Sequence, residues 1–144
     1  MNEFEIRTVI DSPAERVFAF FENFDGYPDW SVGLTQTRKT SDGPLAVGST
    51  ATLVGKLLGR DFETSVEITE FEANHRFATK TTSGPFYLEV SYTLESVDGT
   101  TTLTTEVRGE SKGFFKLAEA VTVRVTKKQF EAAAETLKAL AEAQ

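Results

Sequence analysis

The sequence predicts an α+β domain in which a strongly curved antiparallel sheet of about seven strands grips a long C-terminal helix. Two short helices are expected after the first strand. Three observations predict this. Segments of alternating apolar and polar residues fill most of the first 110 positions, and tight turns separate them. Strands that follow one another through short turns pair antiparallel. Beyond Gly113 there is no proline and helix formers dominate to Ala143, so one long helix is expected there. A sheet with one polar face must cover the other, and this terminal segment is the long amphipathic element available to do it.

Phe4, Ile6, Thr8 and Ile10 alternate with Glu5, Arg7 and Val9, the pattern of a half-buried strand. Ser12-Pro13-Ala14-Glu15 then reads as a helix start, with Ser12 and Glu15 as a capping box and Pro13 at the first helical position. Val17, Phe18 and Phe21 share one face of that helix. Gly26 and Pro28 should break it into a second short turn ending near Trp30. Ser41-Asp42-Gly43-Pro44 is a turn, and Thr50–Leu58 and Arg60–Phe71 flank Gly59 as a hairpin. Arg76–Thr82, Phe86–Ser96 and Thr101–Glu110 follow, the last two joined by the hairpin signal Asp98-Gly99.

The terminal helix has a divided apolar stripe. Phe114, Ala118, Val121 and Val125 share one face, whereas Phe130, Ala133, Leu137 and Leu140 share another. A straight helix cannot aim both at one surface, which predicts a bend or a change of packing partner between Thr126 and Gln129.

Composition narrows the chemistry. The chain has 144 residues, enough for one domain over 1–144, and a formal net charge of −7. That charge disfavours nucleic acid as a partner. There is no cysteine and a single histidine, His75, which excludes thiolate nucleophiles, cysteine-based metal sites and any paired-imidazole motif. No nucleotide-binding glycine motif occurs, so neither a cofactor nor a metal is expected. No apolar run approaches the ~20 residues of a transmembrane helix. The acidic start, Met-Asn-Glu-Phe-Glu, lacks the basic residues of a secretory leader, and a cytoplasmic protein is expected. His75 lies in a polar connection with no partner for catalysis and reads as a solvated turn residue.

Ile10-Asp11-Ser12-Pro13-Ala14-Glu15-Arg16-Val17-Phe18, Tyr27-Pro28-Asp29-Trp30 and Gly43-Pro44-Leu45-Ala46-Val47-Gly48-Ser49 together resemble the SRPBCC/START-like helix-grip superfamily. The resemblance covers essentially the whole chain and is nearest the polyketide cyclase/dehydrase-like branch. It implies a helix-grip (START/Bet v 1-like) fold with an internal cavity between sheet and terminal helix, holding a small hydrophobic molecule such as a lipid, polyketide or aromatic compound.

Candidate cavity residues combine that implication with strand parity. They are Trp30, Leu53, Phe62, Phe77, Thr79, Tyr92, Thr105 and Val107 from the body, and Ala118, Val121, Thr122 and Val125 from the helix. Gly55, Thr81 and Gly109 should also face inward, where small residues either leave a void or let layers pack closely. Tyr27 and Trp30 could stack on a ligand at the mouth or cap the core. The Tyr92 hydroxyl, with Leu88, Val90 and Leu94 on its face, needs a ligand or a threonine as partner. Parity sends Arg7, Glu63, Glu67, Glu89, Glu106 and Arg108 outward, so no general acid or base is evident inside. Related enzymes place a polar dyad or arginine there. Three readings remain: a ligand-binding or transport protein without catalytic residues, a cyclase, aromatase or dehydratase that works by folding its substrate, and a protein-interaction module with a filled core. Arg124, Lys127, Lys128 and Lys116 form a basic patch that could attract an anionic head group or be an ordinary exposed helix face. Oligomeric state is not legible.

Overall fold

The computed structural model describes residues 2–144. The chain runs β1 (Asn2–Ile10), α1 (Ala14–Glu22), a 3-10 turn (Phe24–Asp29), β2 (Leu34–Lys39), β3 (Thr50–Leu57), β4 (Arg60–Glu72), β5 (Arg76–Ser83), β6 (Phe86–Val97), β7 (Thr100–Ser111), α2 (Gly113–Leu117) and α3 (Glu119–Glu142). The strands form one sheet of seven in the order β1-β7-β6-β5-β4-β3-β2, antiparallel throughout. Strands β2 to β7 are the meander expected from the turns. Strand β1 pairs with β7 at the far edge, which sets the first strand beside the last.

Turn chemistry fixes the hairpins. Leu58-Gly59 and Asp98-Gly99 each place two consecutive residues at positive φ, the geometry that matches the right-handed twist of paired strands. In β4, Thr64, Val66 and Ile68 are buried while Glu63 and Glu70 are exposed, as alternation requires. A register shift after Ile68 adds a residue, so Phe71 also packs on the core. Thr37 of β2 donates its hydroxyl to the Phe24 carbonyl and ties the edge strand to the 3-10 turn.

Two helix expectations need correction. Ser12 does not cap α1: the N-cap is Pro13, and the buried Ser12 hydroxyl has no partner among the described residues. The helix instead begins with Arg16 and Val17 donating to the Pro13 carbonyl. Nor does the terminal helix bend between Thr126 and Gln129; its packing partner changes there instead, from Phe86 and Phe115 at Val125 to Phe18, Phe21 and Phe77 at Ala133 and Leu137. It is continuous from Glu119 to Glu142, and the break falls at Ala118, whose φ/ψ of −104°/34° leaves the helical region. There the Phe115 carbonyl, deprived of its helical donor, accepts the Thr122 hydroxyl at 3.0 Å.

The break explains the divided stripe. Phe115 points inward and packs on Phe86 at 5.4 Å, while Phe114, Leu117 and Val121 are turned to solvent. Buried residues of α3 then run Thr122, Ala133, Ala134, Leu137 and Ala141 on one straight helix. Leu140, assigned from sequence to the inward stripe, is 38% exposed.

Candidate ligand pocket

The hydrophobic core is split. The larger cluster gathers Phe18, Phe21, Phe24, Tyr27, Trp30 and Phe77 with Ile10, Ile68, Leu94, Leu103 and Leu137. The smaller one consists of Leu57, Phe86 and Phe115, joined by Phe62, Leu88 and Val125. Aromatic edges knit each cluster internally: Phe18–Phe77 at 6.3 Å and Phe21–Trp30 at 5.6 Å in the first, Phe62–Phe86 at 5.1 Å in the second. Between them, against α3, lies a pocket of about 160 Å³ that is partly open to solvent.

Its wall is mostly apolar. Phe24, Tyr27, Phe77 and Tyr92 come from the larger cluster, and Leu57, Phe62, Phe86 and Leu88 from the smaller. Leu53, Val66, Val90 and Val107 complete the sheet side, and Thr122, Thr126, Gln129, Phe130 and Ala133 supply the helix side. At the rim, Gly33 approaches Gln129 so closely that a Cβ on Gly33 would lie 2.9 Å from Gln129 Nε2. Gly55 makes the same loop possible, because a Cβ there would sit 2.3 Å from the Gly33 carbonyl oxygen. That carbonyl accepts the Lys56 amide at 2.8 Å and holds the loop against β3.

The polar groups on this wall differ in what they are bound to. Tyr27 donates to the Phe21 carbonyl at 2.7 Å, Thr64 to Ser83 at 2.8 Å and Thr122 to Phe115 at 3.0 Å. Thr81 accepts the Leu88 amide at 3.1 Å. The Tyr92 hydroxyl has no hydrogen-bond partner among the described residues, and neither has Thr79 on the adjoining strand. Tyr92 pairs with Phe77 across β5–β6 and Thr79 pairs with Val90, so the two hydroxyl residues are diagonal neighbours on the inner face. Burial pushes both the Tyr92 and the Tyr27 phenol above the ordinary tyrosine range, because a phenolate would be poorly solvated there.

Seven candidates from the sequence therefore meet at the cavity: Leu53, Phe62, Phe77, Thr79, Tyr92, Val107 and Thr122. The other five lie elsewhere. Trp30 is buried against Phe21 and Tyr27, its indole N–H unpartnered among the described residues. Thr105 is buried in β7 outside the cavity wall, and Ala118 forms the helix break. Val121 is 40% exposed, and Val125 packs on the smaller cluster. Thr126, Gln129 and Phe130 were missed. For Thr126 and Gln129 the signal was present as the spacing Thr122, Thr126, Gln129, Ala133, Leu137, which continues one helical face through polar residues, and Phe130 stands on the apolar stripe with Ala133 and Leu137.

Charged side chains lie on the outer face, as parity required. Arg108 pairs with Glu89 at 3.3 Å and Arg76 with Glu70 at 2.7 Å. Glu110 reaches the cavity rim but is itself exposed. His75 is exposed in the β4–β5 turn, with Nδ1 3.1 Å from the Leu94 carbonyl oxygen. No helix is long and apolar enough to cross a membrane among the described residues.

Solved structures share this architecture. A protein from Thermus thermophilus is 15% identical, covers 99% of this chain and 98% of its own, and superposes with a TM-score of 0.84. A START superfamily protein from Mycobacterium smegmatis gives 16%, 97% of each chain and 0.80. An aromatase/cyclase from Streptomyces sp. R1128 gives 14%, 98% of this chain, 93% of its own and 0.79. At such identities the likeness is one of fold. No curated protein is similar enough in sequence to match. Residues 1–142 match the family described as polyketide cyclase / dehydrase and lipid transport, and the chain belongs to that family.

Proposed function

We propose that the protein binds a small, uncharged, largely apolar molecule in the cavity between sheet and α3, as a carrier or receptor for it. The observation that carries this reading is the split core: two aromatic clusters leave about 160 Å³ between them, walled mainly by apolar side chains. A largely apolar pocket of that size accepts a single ring or a short acyl segment, although drug-sized ligands occupy roughly 300–1,000 Å³. Larger ligands would need the rim at Gly33 and Gln129 to move apart.

Leu53, Phe62, Phe77 and Val107 are the proposed apolar contacts, and Tyr92 and Thr79 the proposed hydrogen-bonding ones. Ionised ligands are disfavoured, since no lysine or arginine lines the wall among the described residues. Trp30, Thr105 and Val125 act through packing in this reading. Cyclase-like chemistry draws support from one observation, the unpartnered Tyr92 phenol, which could orient a carbonyl while the cavity folds the substrate.

Thermal-shift and native mass spectrometry measurements with one-ring phenols, ketones and medium-chain fatty alcohols test the proposal. A ligand at a hundred times its Kd should stabilise the fold by about 2.7 kcal/mol. Bare chain and an unmoved melting curve across all three classes would end the carrier reading.

A further inference from the structure

We propose that the corner between α2 and α3 docks the protein on an anionic lipid surface. The inference goes beyond ligand binding and does not depend on it. Phe115 anchors α2 by packing on Phe86, and its neighbours consequently face water: Leu117 is 91% exposed, Val121 40% and Phe114 39%. Water-facing apolar side chains at one corner are unfavourable unless something covers them. The Arg60 guanidinium lies 3.9 Å from the centre of the Phe114 ring and adds a cation beside them.

Charge identifies the cover. Between Lys112 and Lys128 the chain carries Lys112, Lys116, Arg124, Lys127 and Lys128 against a single carboxylate, Glu119, in a protein whose net charge is −7. Glu119 pairs with Lys116 at 3.0 Å and accepts Asn2 at 2.9 Å. Arg124, Lys127 and Lys128 are exposed and have no ion pair among the described residues. Val121, Arg124 and Lys128 share one face of α3, the side away from Thr122, Thr126 and Gln129 at the cavity. Apolar tips ringed by cations are what an anionic bilayer interface takes up: the tips enter the acyl boundary and the cations meet the head groups. A protein partner is the poorer match, because three apolar side chains fall short of the area a stable protein interface buries. Screening within about 8–10 Å at physiological salt lets this corner act locally despite the acidic remainder.

Vesicle flotation of the whole protein decides the matter, comparing phosphatidylcholine alone with phosphatidylcholine plus phosphatidylglycerol at about 0.1 M salt. The protein should float with the anionic vesicles and stay behind with the neutral ones. Reversing two cations, Arg124→Glu with Lys128→Glu, should weaken flotation at least about tenfold, and Leu117→Ser should do so by a similar factor. Both substitutions lie on the surface, so unchanged circular dichroism melting must accompany the loss. Absence of flotation, equal flotation with neutral vesicles, or indifference to both variants overturns the proposal. So does light scattering that shows a dimer dissolved by Leu117→Ser, since a second copy would then be the cover.

Discussion

The ring of Tyr92 lies stacked on Phe21, with centroids 4.3 Å apart and planes 29° from parallel. Phe21 thus serves both tyrosines near the cavity, giving its ring to Tyr92 and its carbonyl to the Tyr27 hydroxyl. The two phenols have similar surroundings and opposite bonding states, and substitution separates them.

Tyr92→Phe keeps the stacked ring and removes a hydroxyl without a partner in the protein. Stability in urea should be unchanged or slightly higher, while an oxygen-bearing ligand should bind about three- to tenfold more weakly, the worth of one hydrogen bond. Tyr27→Phe breaks a buried bond and should cost about 1–3 kcal/mol in the same unfolding measurement.

Alkaline pH should unfold the protein through these two groups. Both phenols lie above their ordinary range when folded, because burial disfavours the charged form. Their stabilising contribution is complete below about pH 10, where the unfolded chain is also protonated, and falls as pH rises beyond that. The loss is about 1.4 kcal/mol per pH unit for each group. Stability measured against pH should therefore decline more gently in the double variant Tyr27→Phe with Tyr92→Phe. Tyr87, raised by its hydrogen bond to Glu89 at a half-buried site, remains in both proteins. Equal slopes would contradict the assignment.

Ser12→Ala should leave stability within about 0.5 kcal/mol or raise it, since the hydroxyl is buried and unpartnered among the described residues. A true capping serine would cost about 1 kcal/mol. Thr101→Val gives the contrast, because the Thr101 hydroxyl donates to the Ser12 carbonyl at 2.7 Å. Chemical denaturation midpoints compare the two.

Ala133→Leu places three extra carbons at the cavity wall. Ligand binding should be lost while stability holds or rises, as expected when space is filled. Leu137→Ala, one helical turn further on at a fully buried site, should instead cost about 2–5 kcal/mol. Parallel calorimetry of ligand binding and unfolding distinguishes filling a void from opening one.

Much of the architecture could be read from residue order. Alternation and paired turn residues located β3 to β7 within about two positions. The capping box at Ser12 misled because local chemistry allows that bond, but the Ser12 carbonyl is taken by Thr101 and its hydroxyl is enclosed. Following apolar residues along the terminal helix located the change of packing partner after Val125 but not the break at Ala118, since the inward face at its start is carried by Thr122, Thr126 and Gln129. Helix faces are usually apolar because they pack against something; this one borders a space. Tertiary geometry alone decided which hydroxyls were already committed.

The divided core bears on how the molecule comes apart. Each aromatic cluster holds its own end, and the strands passing beneath are shared by both. A guest seated between them would work as a keystone: amides in β3 and β4 should exchange with deuterium more slowly, and the two ends should melt in closer step.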